Sequence, residues 1–275
     1  MILEEVKSLP SYLDNLMSSG QVVFSRRQAR EALGINQGAL LDAAERLQKQ
    51  NRLVSPRQGF YVVVPPQYLS WGAPPPSWYI DDLMRHEECS YYVGLLKAAE
   101  LHGATHQAVM EFQVVTNKRI PRISVGRSVL SFYYRKDMEF CHMGIEDHKT
   151  DTGRMKISSI ELTVLDLLRY PYAAGGLNHI ATVLSDLGDK IEPGKLAKLA
   201  AKFERPVVQR VGWLLDRLGY QQCTEELHVG FLQEAQRPWT ELEPAIAKNP
   251  HLAPLPVEKN KKWNVIVRQV PEIDE

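Results

Sequence analysis

Basic and amide side chains cluster near the start of the chain at spacings suited to contacts with nucleic acid. Residues 21–64 contain seven basic side chains and three acidic ones, a local excess of four positive charges. Arg26 and Arg27 stand at the predicted start of a helix, where free backbone N–H groups and the helix dipole also attract phosphate. Asn36 and Gln37 open the next predicted helix and carry donors and acceptors that can read base edges. The candidate DNA contacts are Arg26, Arg27, Asn36, Gln37, Arg46, Arg57 and Gln58.

Purely structural roles stay open for some of these residues. Asn36 could act only as a helix cap, and Arg46 could simply be solvated. Asp42 and Glu45 fall on the outer face of the same predicted helix, where they would repel phosphate. We therefore expect base reading at the N-terminal turn of this helix and not along its length.

A second basic block lies further along the chain. Residues 114–136 contain six cations, no acid and several aromatic side chains. On strands and hairpin turns this composition makes a positive surface suited to phosphate or to an acidic protein partner, although a plain solvated sheet face would look the same. The residues of this candidate basic surface are Lys118, Arg119, Arg122, Arg127, Arg135 and Lys136.

Catalytic motifs are weak. The chain contains no Walker loop and no GxGxxG, HExxH, GxSxG or CxxC motif. Glu146, Asp147 and Lys149 resemble the acid-x-Lys corner of metal-dependent nucleases. Such an enzyme needs a further acid on a preceding strand, and the nearest upstream candidate, Asp137, falls in a predicted turn. We expect no catalytic residues and no enzymatic activity.

Metal-ligand spacing is equally weak. His86 with Cys89, and Cys141 with His142, could bind a metal on paper. Adjacent residues on a strand face opposite sides, so the second pair cannot easily share one ion. We expect no metal and no cofactor.

Composition places the chain among ordinary globular proteins. Its 275 residues are 44% hydrophobic and 24% charged, enough apolar material for a core. Lys and Arg total 33, as do Asp and Glu, which argues against coating of nucleic acid by net charge but leaves room for a local basic face. Three widely spaced cysteines fit a reducing compartment. No apolar run approaches the ~18–20 residues of a membrane helix, and no signal peptide is visible, so we expect a cytoplasmic protein without a membrane partner.

The elements that must position the first cluster have the order of a winged helix-turn-helix. Apolar periodicity and cap residues predict helices over Leu9–Ser18, Arg26–Leu33 and Gln37–Gln50, followed by a hairpin turning at residues 56–59. A short link around Gly34 joins the second and third helices, as this motif requires. Contacts with protein alone remain an alternative role for such a module.

A proline-rich stretch separates this module from the rest. Five prolines fall within residues 65–76, which excludes a continuous helix or central strand. The predicted domains are a winged helix-turn-helix over residues 1–65, a connector over 66–78 and a C-terminal α+β domain over 79–275. The predicted class is α+β, with a small, mostly antiparallel sheet followed by a helical array.

In the predicted C-terminal domain, strands and helices are assigned from changes in the spacing of apolar residues along the sequence. Helices are predicted at 78–88, 91–102, 159–169, 177–187, 194–203, 206–218 and 225–236. Strands are predicted at 108–116, 120–125, 129–135, 140–145, 155–157 and 263–267. Ser158 and Glu161 form a predicted capping box for the helix that ends before Pro171.

Several soft motifs follow one another along the chain: Gly34-Ile-Asn36, Gly59-Phe-Tyr61, Tyr91–Leu96, Ala99–Gly103, Ile160–Leu168 before Pro171, Gly175-Gly176, Arg210–Gly219 and Trp263-Asn-Val265. In this order they resemble the AbiEi antitoxin family of abortive-infection, type IV toxin–antitoxin systems. They are mostly core and turn residues, so the resemblance depends on their order and spacing over nearly the whole chain.

The resemblance implies a protein with two activities that serves phage defence. Its winged helix would bind inverted repeats of double-stranded operator DNA and repress transcription of its own operon, with Arg26, Arg27, Asn36, Gln37 and Arg57 at the matching DNA-contact positions. Its C-terminal domain would counter a nucleotidyltransferase-like toxin, without requiring a stable complex. The alternatives are a metal-dependent nuclease or other DNA-acting enzyme delivered by a winged helix, and a regulator that senses a small ligand.

Overall fold

The structure is a computed structural model that describes residues 8–104, 109–232, 238–246 and 253–273. Three parts of the predictions lie outside these ranges. They are residues 1–7 of the predicted winged-helix domain, the start of the strand predicted from residue 108 and the end of the helix predicted to residue 236.

The first part of the chain folds as a winged helix-turn-helix. Its elements are α1 (Leu9–Ser18), β1 (Val23–Ser25), α2 (Arg26–Leu33), α3 (Gln37–Lys49), β2 (Leu53–Arg57) and β3 (Phe60–Val63). The three strands form an antiparallel sheet in the order β1-β3-β2. All three helices and the hairpin agree with the sequence prediction, which missed only the short strand β1.

Cap residues set the boundaries of the two helices that form the helix-turn-helix. Ser25 Oγ accepts a hydrogen bond from Gln28 N–H, and Gln28 Oε1 accepts one from Ser25 N–H, so the two residues form a capping box at α2. Gly34 ends α2 with a φ of 62°, a left-handed conformation that glycine adopts at little cost. Asn36 then caps α3 through Ala39 N–H.

One apolar cluster holds the winged helix together. It contains side chains from all three helices and all three strands: Leu9, Leu13, Leu16, Phe24, Ala29, Leu40, Ala44, Leu47, Leu53, Tyr61 and Val63. The rings of Phe24 and Tyr61 stack at a centroid distance of 5.2 Å. The stripe of α3 at Leu40, Ala44 and Leu47 faces this core, so the opposite side of α3 faces solvent.

The rest of the chain combines strands and helices. Its strands are β4 (Tyr91–Val93), β5 (Phe112–Thr116), β6 (Ile123–Val125), β7 (Ser128–Tyr134), β8 (Ile145–Thr150), β9 (Gly153–Ser158), β10 (Thr240–Glu241), β11 (Glu258–Asn260) and β12 (Val265–Val267). Its helices are α4 (Ile80–His86), α5 (Leu95–Leu101), α6 (Ile160–Arg169), α7 (Leu177–Leu187), α8 (Pro193–Ala200), α9 (Arg205–Arg217) and α10 (Gln221–Leu232). The α+β class is confirmed.

The larger sheet has six strands in the order β6-β7-β5-β4-β9-β8. The pairs β5–β7 and β4–β9 are parallel, whereas β6–β7 is antiparallel. The turns in the sequence marked the strand ends but did not reveal these parallel pairs. A separate sheet has the order β10-β12-β11.

The strands β10 and β11 were not predicted, α10 begins at Gln221 and not at residue 225, and three further elements differ in kind or in cap residue. Residues 140–145 were predicted as a strand, but Glu139–Gly144 is a 3-10 helix and the strand begins at Ile145. Tyr91–Val93 is a strand and not the first turn of a helix, because Gly94 has an extended backbone and starts α5. The cap of α6 is Ser159 and not Ser158, which ends β9.

The proline-rich connector docks through backbone and ring contacts. It contains two short 3-10 turns, Pro66–Tyr68 and Pro76–Trp78. Arg127 N–H donates to Trp71 O at 2.9 Å. A Cβ on Gly126 would lie 2.4 Å from that same oxygen, so the close approach requires glycine.

Contacts divide the chain into two compact units. The first comprises Met1–Tyr92, Met110–Lys136 and Asp147–Lys156, and the second Val93–Val109, Asp137–Glu146 and Ile157–Glu275. The winged helix thus shares a unit with strands β5, β6 and β7. The predicted domain boundaries concern which segments would fold alone, and they stay a prediction. No helix in the described part of the chain is long and apolar enough to cross a membrane.

A buried carboxylate organises the start of α6 in the second unit. Glu161 accepts hydrogen bonds from Glu192 N–H at 3.0 Å and from Ser159 Oγ–H at 2.7 Å, and it lies 3.2 Å from Lys195 Nζ. Burial alone would raise the pKa of Glu161, but these hydrogen bonds and the lysine charge outweigh it and lower the pKa. Its ionised form therefore stabilises the folded state.

Replacing Glu161 with Gln should destabilise the protein by about 2 kcal/mol at neutral pH, because a hydrogen bond to a charged group contributes roughly 1.5–3 kcal/mol. The depressed pKa makes this stabilisation complete above the ordinary pKa of Glu, and it is lost as pH falls through the lowered pKa. The free energy of unfolding in urea, measured against pH, checks both points. Glu146→Gln removes the more exposed partner of Lys195 and should cost less than about 1 kcal/mol. A cost for Glu161→Gln that does not change with pH would contradict this account.

Candidate nucleic-acid interface

The N-terminal turn of α3 presents its side chains to solvent. Asn36, Gln37, Gly38 and Ala39 are all exposed. Asn36 Oδ1 accepts from Ala39 N–H at 2.9 Å, so this oxygen is engaged in capping. Gln37 is the side chain of this turn best suited to base contacts, since its amide can both donate and accept.

Further along α3, charges pair within the helix. Lys49 Nζ lies 2.6 Å from Glu45 Oε1, and the hydrogen bond from Lys49 lowers the pKa of Glu45. Arg46 Nε donates to Asp42 O at 3.3 Å. The acidic side chains thus lie on the exposed face, as predicted, and Arg46 is directed along its own helix.

The two arginines that open α2 differ in environment. Arg26 N–H donates to Gly59 O at 2.8 Å, and its half-buried side chain packs against Gly59 of the wing turn. Within the described residues no acceptor is aligned with the buried Arg26 Nε. Arg27 is 86% exposed and lies 3.7 Å from Glu31, so it is the more accessible cation at this helix start.

The tip of the wing is docked against α4 and the residue after it. Arg57 Nε lies 3.1 Å from Glu87 Oε1, and Gln58 O accepts from His86 Nε2 at 3.2 Å in the tautomer that carries the Nε2 proton. The His86 ring also contacts Phe60 at a centroid distance of 5.3 Å. Arg57 therefore has a protein counter-charge, which the sequence did not predict.

The candidate basic surface is partly neutralised. Lys118 Nζ lies 2.9 Å from Glu87 Oε2, and Arg122 lies 2.7 Å from Glu111 Oε1. Arg135 is only 3% exposed, so it lies beneath the surface.

Two of the remaining cations cover aromatic rings. The Arg119 guanidinium lies 4.5 Å from the centroid of the Tyr134 ring, and that of Arg127 lies 5.6 Å from the centroid of the Trp71 ring. Lys136 is exposed. These side chains keep their charge on the surface, and a ring beneath an arginine restricts its motion.

Sequence reasoning missed the acids that pair with these cations. Glu87 and Glu111 lie outside both basic blocks, and nothing in their spacing indicates contact with Arg57, Lys118 or Arg122. The neighbouring pattern Arg85-His86-Glu87-Glu88 reads as an ordinary charged helix end. Only the fold of the first unit brings these groups together.

The weak catalytic motifs gain no support from their surroundings. Asp147 lies 3.8 Å from Arg154 on the adjoining strand, with both side chains largely exposed. Cys141 is buried, and burial raises the pKa of the half-buried Cys89 thiol. Among the residues that the structure describes, no group of three or more His, Cys, Asp or Glu is placed to hold a metal ion.

The fold and this surface define a protein that joins a winged helix-turn-helix to an α+β region. Residues 92–217 match the family model of the AbiEi antitoxin C-terminal domain. This match, which covers just under half of the chain and does not include the winged helix, supports the resemblance to the AbiEi antitoxin family that the motifs predicted. The matched domain supports the role of an antitoxin in a toxin–antitoxin system.

A solved structure shares the fold across most of the chain. The RV2827C protein from Mycobacterium tuberculosis aligns with a TM-score of 0.66 and 15% sequence identity, covering 94% of this chain and 90% of its own. At this identity the likeness concerns the fold alone. A comparison with curated proteins found no match.

Replacing Arg27 with Ala should weaken binding to duplex DNA by about fivefold for every sequence, as loss of one phosphate contact does. The slope of log affinity against log salt should fall by about 0.9. Fluorescence anisotropy with labelled duplexes over a salt series measures both. Arg217→Ala removes the same charge from an exposed arginine outside the candidate interface and serves as the control. Equal effects of the two variants would show that Arg27 does not contact phosphate.

Proposed function

We propose that this protein is a type IV antitoxin of a phage-defence system that also represses transcription of its own operon. Its winged helix would bind inverted repeats of operator DNA, and its C-terminal region would counter a nucleotidyltransferase-like toxin in the cytoplasm. The observation that carries the DNA-binding half is the exposed N-terminal turn of α3, with Gln37 in solvent and Arg27 exposed on the preceding helix.

The geometry of the helix-turn-helix supports the proposed DNA binding. The apolar stripe of α3 faces the core, so its opposite face is available to the major groove. The first turn carries no acidic side chain, whereas the middle carries Asp42 and Glu45. A helix with this charge pattern enters the groove by its N-terminal end, because phosphates would be repelled further along.

Antitoxicity is assigned to the region that matches the AbiEi C-terminal domain. We propose that it acts without catalysis of its own; its buried Glu161, for example, is held by hydrogen bonds from Ser159 and Glu192 at the start of α6. The proposal does not require a stable complex with the toxin. A downstream gene for a nucleotidyltransferase-like protein, whose toxicity this chain relieves on co-expression, is the expected finding.

A polar cleft favours ligand sensing as a second candidate function. The cleft has a volume of about 530 Å³ and lies within the first unit beside the start of α2. Arg27, Arg85 and His86 line it together with Asp82. A ligand there would meet Arg27, a candidate DNA contact, so a regulator of this kind should show ligand-dependent thermal stabilisation.

Gln37→Ala should relax the preference for one base pair in each operator half-site, at a cost of about 1–3 kcal/mol for the preferred base. Binding to random DNA should stay unchanged, because a base contact adds nothing there. The measurement compares the wild-type operator with single-base variants in competition with random duplex. Gln48→Ala alters an exposed glutamine at the far end of the same helix and should change neither affinity. Absence of any operator preference in the wild-type protein, on the order of 10³ over random DNA, would refute the repressor proposal.

A further inference from the structure

The Glu87 carboxylate lies between two cations in the first unit. Its Oε1 atom is 3.1 Å from Arg57 Nε, and its Oε2 atom is 2.9 Å from Lys118 Nζ. Each oxygen therefore faces a different positive group. The two non-bridging oxygens of a nucleic-acid phosphate could meet two such cations in the same way.

We propose that Glu87 occupies a phosphate-binding position formed by Arg57 and Lys118, and that it competes there with the nucleic-acid backbone. The inference rests on the proposed DNA-binding function. It adds that Glu87 lowers the affinity of the protein for DNA. The ligand is a backbone phosphate of duplex DNA, in contact with the tip of the wing.

The contact between Glu87 and Arg57 Nε is an ion pair without an aligned hydrogen bond. Arg57 is only 26% exposed at its side chain. Its buried Nε has no aligned hydrogen-bond acceptor among the described residues, although the carboxylate is within ion-pair distance. A charge at this distance without hydrogen-bond geometry gains less than an aligned pair. A phosphate that aligns with Arg57 can therefore displace it.

The surrounding contacts would survive such an exchange. Lys118 Nζ also donates to the backbone oxygen of Glu87 at 2.9 Å, so the lysine stays anchored when the carboxylate turns away. His86 holds Gln58 O of the wing, and that bond does not involve Glu87. The two cations would therefore remain in place to receive a phosphate.

The test compares Glu87→Gln with Glu88→Gln in the full-length protein. The two variants change net charge equally, but Glu88 is exposed and lies next to the pair instead of within it. Affinity for a labelled random duplex and for the operator is measured by anisotropy over a salt series. We expect Glu87→Gln to bind both duplexes about threefold to tenfold more tightly than the wild type, with a salt slope steeper by about 0.9–1.8 because one or two more phosphates are neutralised. Glu88→Gln should change affinity less than about twofold.

Further variants separate competition from a structural role. Adding Lys118→Ala to Glu87→Gln should abolish the gain if a phosphate meets Lys118. Thermal unfolding of both single variants shows whether either change disturbs the fold. A gain for Glu87→Gln no larger than that for Glu88→Gln, or a loss of affinity with the fold intact, overturns the inference. The repressor proposal fails separately, if the wild type shows no preference for its operator over random duplex.

Discussion

The arrangement of elements within the winged helix depends on Ser25, where β1, α2 and the wing meet. Ser25 is the last residue of β1, pairs with Phe60 of β3, and caps α2 with its side chain. The next residue, Arg26, donates its N–H to Gly59 O at the wing turn. Strand pairing and capping thus share one point, and a shift of one residue there would turn every side chain of β1 to the other face. The start of α2 and the wing turn are therefore held together at this junction.

Local signals predicted the winged helix because each element carries its own boundary residues. Ser25, Gly34 and Asn36 act at single positions, through side-chain caps or a left-handed backbone. The same kind of reasoning was wrong at residues 140–145, where the apolar pattern of Phe140, Cys141 and Met143 suits a strand but the chain forms a 3-10 helix. A short apolar run does not distinguish the two, since tertiary packing decides. The parallel pair β4–β9 joins Val93 to Ile157, and the pair β5–β7 skips the intervening strand β6, so the turn signals between neighbouring strands indicated neither pair.

The sequence predicted the cations of the candidate interface but not the acidic side chains that pair with them. Sequence reasoning located Arg57, Lys118 and Arg122 because basic residues cluster along the chain. It could not locate Glu87 and Glu111, because ion pairs between distant segments depend on the fold. The burial of Arg135 was not apparent for a similar reason, because this residue follows the last residue of β7 and its burial depends on the fold. A count of local charge therefore overstates the positive field that reaches solvent.

A chain without net charge can bind nucleic acid only if its cations reach the backbone with few acids beside them. In the first unit the available cations fall into two groups: exposed ones such as Arg27, and ones that share a carboxylate, such as Arg57 and Lys118. Exposed cations attract any polyanion and are screened by salt. Cations that already hold a carboxylate contribute only when a phosphate displaces it, so they add little to the first encounter and more to the fully docked state. Under the proposed function, such an arrangement would keep general affinity for DNA low and would bring the wing into contact only at a site where α3 is already bound, which would favour an operator over random sequence.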